Sequence, residues 1–220
     1  MCHELNTPLG TILIAGKDLA LVGRQLGSTE IEELADTVAE GARRASDIIG
    51  MMRGSISPDA RREPLELFSF VRRYAEQELD RKGYRGERFL ECEGSVEVRL
   101  VRSALCQILT NLIANAIDAT ATMARPGIAI VVTATGTEVS VTIRDNGPGV
   151  DSDVMPHLGE PFHTTKADRG GTGLGLYVSN LLAEHMGGSL HLETRSGRGT
   201  AVTLTLTRDR VRNSQLMRAA

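Results

Sequence analysis

Asn111-Leu112-Ile113-Ala114-Asn115-Ala116-Ile117-Asp118 sets two amides and a carboxylate into an otherwise apolar run. The run lies within a long apolar helix predicted over 101–122. At helical spacing Asn111, Asn115 and Asp118 fall at i, i+4 and i+7, on a single face. Burying amides is costly unless each finds a partner, so this face points to a ligand. Asparagines that merely hydrogen-bond within a core are the plain alternative. Amide oxygens of Asn111 and Asn115 suit a hard cation such as Mg²⁺, which takes few protein ligands and completes its shell with phosphate and water.

Working outward, runs at 128–134 and 138–144 alternate as a β-hairpin around Gly136, and Asp145-Asn146-Gly147-Pro148-Gly149 follows. Residues 151–172 are polar and glycine-rich, a loop. Residues 174–186 read as a helix, and 190–194 with 200–207 as a second hairpin around Ser196-Gly197-Arg198-Gly199. Before the central helix stand a strand at 64–67, an amphipathic helix at 68–82, and short strands at 89–92 and 96–100. Adjacent hairpins mixed with helices give an α+β sandwich, a sheet with helices on one face. This domain is expected over 57–208, with a polar tail at 209–220.

Residues 1–56 have another character. Leu5, Leu9, Ile12, Leu19 and Leu26 form a heptad-like stripe over 3–26. After a break at Gly27-Ser28-Thr29, Ile31, Leu34, Val38, Ala45, Ile48 and Met52 share one face over 30–53. Two helices and a short turn make an antiparallel hairpin whose apolar seam one copy cannot cover. Two hairpins can, as a four-helix bundle, so a homodimer is expected.

The totals narrow the function. The chain has 220 residues, 41% of them hydrophobic, enough to bury a core in one large or two modest domains. A net charge of −3 and no Trp leave no basic surplus and little stacking surface for nucleic acid. No apolar run is long enough to span a membrane, and the N-terminus lacks signal-peptide character, so a cytoplasmic fragment without membrane contact is expected. Cys2, Cys92 and Cys106 lack metal-site spacing and fit free thiols.

Three other segments carry chemistry. His3-Glu4-Leu5-Asn6-Thr7-Pro8 opens the first helix. With His3 at zero and about 100° per residue, Leu5, Leu9, Ile12 and Leu19 fall between about 160° and 240°, so His3 is expected to face away from the seam. Glu4 can take a proton from one ring nitrogen and leave the other free to attack phosphorus, and Thr7 lies one turn on. Asp145 is delivered by a strand to a glycine turn with room for a flat ligand, where a carboxylate accepts from the exocyclic amine of adenine. Glu160-Pro161-Phe162-His163-Thr164-Thr165-Lys166, then Gly170-Gly171-Thr172-Gly173-Leu174-Gly175-Leu176, opens a helix N-terminus, where backbone N–H groups attract phosphate. Lys166 adds positive charge.

In this order the segments resemble the bacterial two-component sensor histidine kinases. His3 matches the phosphoacceptor of the H box. Asn111 and Asn115 match the N box, Asp145 to Gly149 the first glycine box, Glu160 to Lys166 the F box, and Gly171 to Gly175 the second glycine box. The resemblance covers residues 3–207 and implies a dimerisation and histidine-phosphotransfer hairpin followed by an ATP-binding domain of the gyrase and MutL kind. It implies that Asp145 reads adenine with support from Thr200, and that Asn111 and Asn115 hold Mg-ATP. Asp118, Gly147, Gly149, Lys166, Gly171, Gly173, Leu174, Gly175 and Leu176 complete the nucleotide site, with 157–172 as a lid. Glu4 and Thr7 match positions used for phosphotransfer and for hydrolysis of phosphoaspartate on the response-regulator receiver domain.

Asp118 and Ala119 depart from the family, many of whose members carry Lys and an aromatic there. Only Met1 and Cys2 precede His3, which implies a longer parent carrying the sensor. A phosphotransfer scaffold with a degenerate ATP domain, or an ATPase or serine kinase of the same superfamily, are the rival readings.

Overall fold

A computed structural model describes residues 12, 14–16, 31, 33–39, 41–42, 61–92, 94–151, 154–155, 158–161, 163–164 and 173–207. The chain divides into two compact units, Met1–Arg53 and Gly54–Ala220. In the first, every described residue is helical. Ile31, Leu34 and Val38 are half-buried and Gly41 is buried, while Glu33, Ala35, Asp36 and Thr37 are exposed, a one-sided pattern at helical spacing. His3, Glu4, Thr7 and the turn at 27–29 lie outside the described residues.

The second unit is built from seven strands and three helices among its described residues. In chain order they are β1 (Glu63–Glu66), α1 (Leu67–Arg81), β2 (Glu87–Glu91), β3 (Glu97–Leu100), α2 (Arg102–Thr120), β4 (Gly127–Thr135), β5 (Glu138–Asp145), α3 (Gly175–His185), β6 (Gly188–Thr194) and β7 (Thr200–Thr207). The expected strands and helices of this unit are all present, with ends displaced by at most two residues.

The main sheet has the order β2-β4-β5-β7-β6, and β1 and β3 form a separate antiparallel ribbon. Both expected hairpins are there, β4 with β5 and β6 with β7, and β5 joins them antiparallel to β7. The parallel pairing of β2 with β4 was not foreseen. A five-residue edge strand with mostly exposed side chains carries no mark of its distant partner.

One face of the sheet is apolar. Ile128, Ile130 and Val132 of β4, Val139, Val141 and Ile143 of β5, and Leu204 and Leu206 of β7 are buried. Against them pack Leu67, Val71 and Leu79 of α1, Leu105, Ile108, Leu109 and Ile113 of α2, and Val178 and Leu182 of α3, none of them measurably exposed. Each such Leu or Ile contributes about 1.5–3 kcal/mol by leaving water. The alternate strand positions, among them Thr133, Ser140, Thr142 and Thr203, stay outside the core because strand side chains alternate. The result is a two-layer sandwich with helices on one face of a mixed sheet. No helix among the described residues is long and apolar enough to cross a membrane.

Glu66 joins the ribbon to α1. Its carboxylate accepts from Ser69 N at 2.8 Å and from Val96 N at 3.1 Å. Partial burial pushes its pKa up, but those hydrogen bonds prevail and hold it below the ordinary value. Cys92 is buried, and desolvation raises its thiol to about 11. Native Cys92 should therefore resist alkylation at mildly alkaline pH and react at the rate of a free thiol once urea unfolds the chain. Equal rates in both states, followed by peptide mapping, would show that the thiol is not sequestered.

Candidate functional site

Four pieces of the second unit converge: α2, the C-terminal end of β5, the β6–β7 turn, and the start of α3. Between them lies a cavity of about 600 Å³. Asn111, Asn115, Asp118, Asp145 and Thr200 are among its polar lining. Ile143, Val150, Leu158, Leu176 and Val202 supply apolar wall, and Gly149, Gly173 and Gly175 line it too. Residues far apart in sequence meet because β5 is central in the sheet and α2 packs over it.

Asp145 ends β5 and is 7% exposed. A carboxylate so buried must be hydrogen-bonded to remain. Its Oδ1 accepts from Gly147 N at 2.8 Å and from Thr200 N at 3.3 Å, which fixes the plane of the group. Asp145 and Thr200 are therefore joined directly, through the Thr200 backbone N–H. The Thr200 hydroxyl instead lies 3.0 Å from that of Thr194. Asn146 turns away, accepting from Gly127 N and donating to Arg125 O, both at 2.8 Å, and so secures the start of β4.

Two loops are pressed together around Asp145. Gly197 N donates to Pro148 O at 2.6 Å. A Cβ on Gly149 would collide with Arg195 O, and one on Gly199 with Asp145 O. Thr194, which carries no motif, ties the loops further: its Oγ1 accepts from Val150 N at 2.9 Å and donates to Gly199 O at 3.2 Å. Alternation along β6 marks Thr194 only as a strand end, so this role is visible only in the fold. Gly199 has φ +81°, which adds backbone strain to the collision. Gly199→Ala should lower stability by about 2–3 kcal/mol in urea denaturation. Gly136→Ala, with φ +54° and open space around it, should lose only about 1 kcal/mol. Equal losses would show that the loop contact contributes nothing.

Gly147 is buried against Ala119 O, the approach a side chain would forbid, and it is not part of the cavity wall. Leu174 is 0% exposed, so its side chain belongs to the core rather than to the cavity. The glycine-rich stretch places Leu174 beside the ligand in sequence, but the apolar side chain points where the sheet and helices exclude water. Lys166 and Gly171 lie outside the described residues. His163 and Thr164 line the cavity, an assignment motif reading did not make for them individually.

Asn111 Nδ2 donates to Gly175 O at 3.1 Å and to Ser179 Oγ at 3.2 Å, and its Oδ1 accepts from Gln107 Nε2 at 3.1 Å. One lone pair of Oδ1 remains for a ligand. Asn115 and Asp118 are exposed to the cavity one and two turns further on. Among the described residues no group of three His, Cys, Asp or Glu side chains could hold a metal. Two amide oxygens beside a cavity fit a cation such as Mg²⁺ that brings phosphate and water as its other ligands.

Residues 101–210 match the family described as histidine kinase-, DNA gyrase B-, and HSP90-like ATPase. The sensor protein FixL of Bradyrhizobium diazoefficiens is 31% identical over 214 residues, which cover 94% of this chain and 42% of that protein. The catalytic domain of histidine kinase ThkA superposes with TM-score 0.56 at 27% identity, covering 66% of this chain and 97% of that one. Full-length ShkA in complex with AMPPNP superposes with TM-score 0.58 at 23% identity, over 94% of this chain and 44% of that chain, a likeness of fold. The chain spans 34–50% of the length of eight curated relatives that it matches. A mixed sheet with one helical face, a cavity walled by α2 and the glycine turns, and these matches together place the chain in the histidine kinase-, DNA gyrase B- and HSP90-like ATPase family, as a catalytic domain of the bacterial two-component sensor histidine kinase type.

Proposed function

We propose that this chain is an ATP-dependent protein-histidine kinase core, which phosphorylates its own His3 and passes the phosphoryl group to an aspartate of a response-regulator receiver domain. The observation that carries the reading is Asp145: a buried carboxylate held by two backbone N–H groups, lining a cavity with apolar walls. Such a group accepts from the adenine amine, while Ile143 and Val202 flank the flat ring. Asn111 and Asn115 would hold Mg²⁺, which when bound neutralises charge on the phosphates. Asp118, Gly149, Gly173, Gly175 and Leu176 surround the same space, and the sequence adds Lys166 and Gly171 as groups for the phosphates.

At His3 the free imidazole nitrogen attacks the γ-phosphorus in line. An N–P bond forms as the bond to the β–γ bridging oxygen breaks, ADP leaves with that electron pair, and Glu4 takes the ring proton. Glu4 and Thr7 are the residues for a reverse task, directing water at the regulator's phosphoaspartate. The hairpin of residues 1–56 dimerises through its apolar seam, as a cytoplasmic core.

The test is incubation of the 220-residue chain with γ-labelled ATP and Mg²⁺. The expected product is an acid-labile, base-stable phosphoprotein that loses its label to a receiver domain. An acid-stable, base-labile product would instead identify a serine kinase of the same superfamily. Nucleotide turnover without protein label would identify an ATPase.

A further inference from the structure

Ser179 lies in α3, is 0% exposed, and stands among apolar neighbours. Its hydroxyl donates to Gly175 O, one turn back, at 2.8 Å, which already satisfies it. Yet Asn111 of α2 reaches the same two atoms. Gly175 O, Ser179 Oγ and Asn111 Nδ2 form a nearly equilateral triangle of 2.8, 3.1 and 3.2 Å, the geometry of one N–H shared between two acceptors.

This triangle decides which way the Asn111 amide faces. A carbonyl oxygen only accepts, so the atom opposite Gly175 O must be Nδ2. Oδ1 is thereby turned to Gln107 Nε2 at 3.1 Å, with its second lone pair left over. Asn111 itself lines the cavity. The same bonds seize the first turn of α3, which begins at Gly175, where the glycine-rich stretch ends. Neither end of the network can shift without releasing the other.

We infer that Ser179 and Gln107 are positioning residues for the metal–nucleotide site: they hold the Asn111 amide with its oxygen toward the cation and lock the start of α3 to α2. The inference rests on the nucleotide reading above and adds to it two residues outside every motif. Partners that orient a metal ligand raise metal affinity, whereas residues that merely fill a core change nucleotide affinity with and without metal alike.

Calorimetric titration of the full chain with ATP, once with excess Mg²⁺ and once with a chelator, separates these roles. Ser179→Ala should reduce the Mg²⁺-dependent gain in ATP affinity roughly tenfold, and move Mg²⁺-free affinity by less than about twofold. Gln107→Met should act in the same direction, and because Gln107 is only half-buried it carries the test if Ser179→Ala does not fold. In an Asn111→Ala chain neither change should cost anything more, since both act through that amide. Equal losses in both titrations, no loss at all, or losses that add in the Asn111→Ala chain would overturn the inference. A wild-type chain that binds ATP with no gain from Mg²⁺ would overturn it while leaving the nucleotide reading intact. A wild-type chain that binds no ATP under either condition would overturn both.

Discussion

Asp145→Asn should weaken ATP binding about 30- to 1000-fold, a loss of about 2–4 kcal/mol, with the fold intact. The reason is the division of labour between the two carboxylate oxygens. Oδ1 is committed to Gly147 N and Thr200 N. An asparagine can keep its own Oδ1 in that place, so both loops stay where they are. Its Nδ2 then occupies the other position and presents a donor to the donating amine of adenine. A hydrogen bond becomes a meeting of two donors at a largely buried group, where an unmade bond is costly. Guanine carries an acceptor oxygen where adenine carries the amine, so GTP should improve relative to ATP in this variant. Calorimetry with both nucleotides, beside a denaturation curve, checks it. Unchanged ATP affinity in a folded protein would remove Asp145 from the adenine site.

His3→Gln should abolish labelling by γ-labelled ATP and leave ATP affinity within about twofold, because no binding interaction is removed. The contrast with Asp145→Asn is the useful part: one variant binds and does not react, the other scarcely binds. His3 must be neutral to attack, because only an unprotonated ring nitrogen has a lone pair to offer phosphorus. His163 is the competitor to watch, since it lines the cavity. Only His3 is followed directly by a carboxylate and, four residues on, by a hydroxyl. Glu4→Gln should slow labelling without weakening binding, because the attacking tautomer is no longer enforced. Acid-labile phosphate appearing on His3→Gln at the wild-type rate would sink the mechanism.

Local pattern alone determined the elements of this protein. A period of two marks β4, β5 and β7, an apolar run with three polar residues on one face marks α2, and glycine clusters mark where the chain turns. Those signals are written in neighbouring residues, because strand alternation and helical repeat are properties of the backbone itself. Asn111 and Asn115 stood out for a related reason, since polar groups set in an apolar run need a partner, and Asp145 stood out as a carboxylate carried by a strand into a glycine turn.

Tertiary structure decided the rest. The parallel partner of β2, the separate β1–β3 ribbon, the Thr194 tie, the core position of Leu174 and the Ser179–Asn111 triangle all join residues distant in the chain. No short window of sequence encodes such pairings, because what selects them is the burial of a whole sheet face and the hydrogen bonds left over once it is covered. Asp145 and Thr200 are separated by 55 positions, yet they meet at 3.3 Å because β5 and β7 lie side by side.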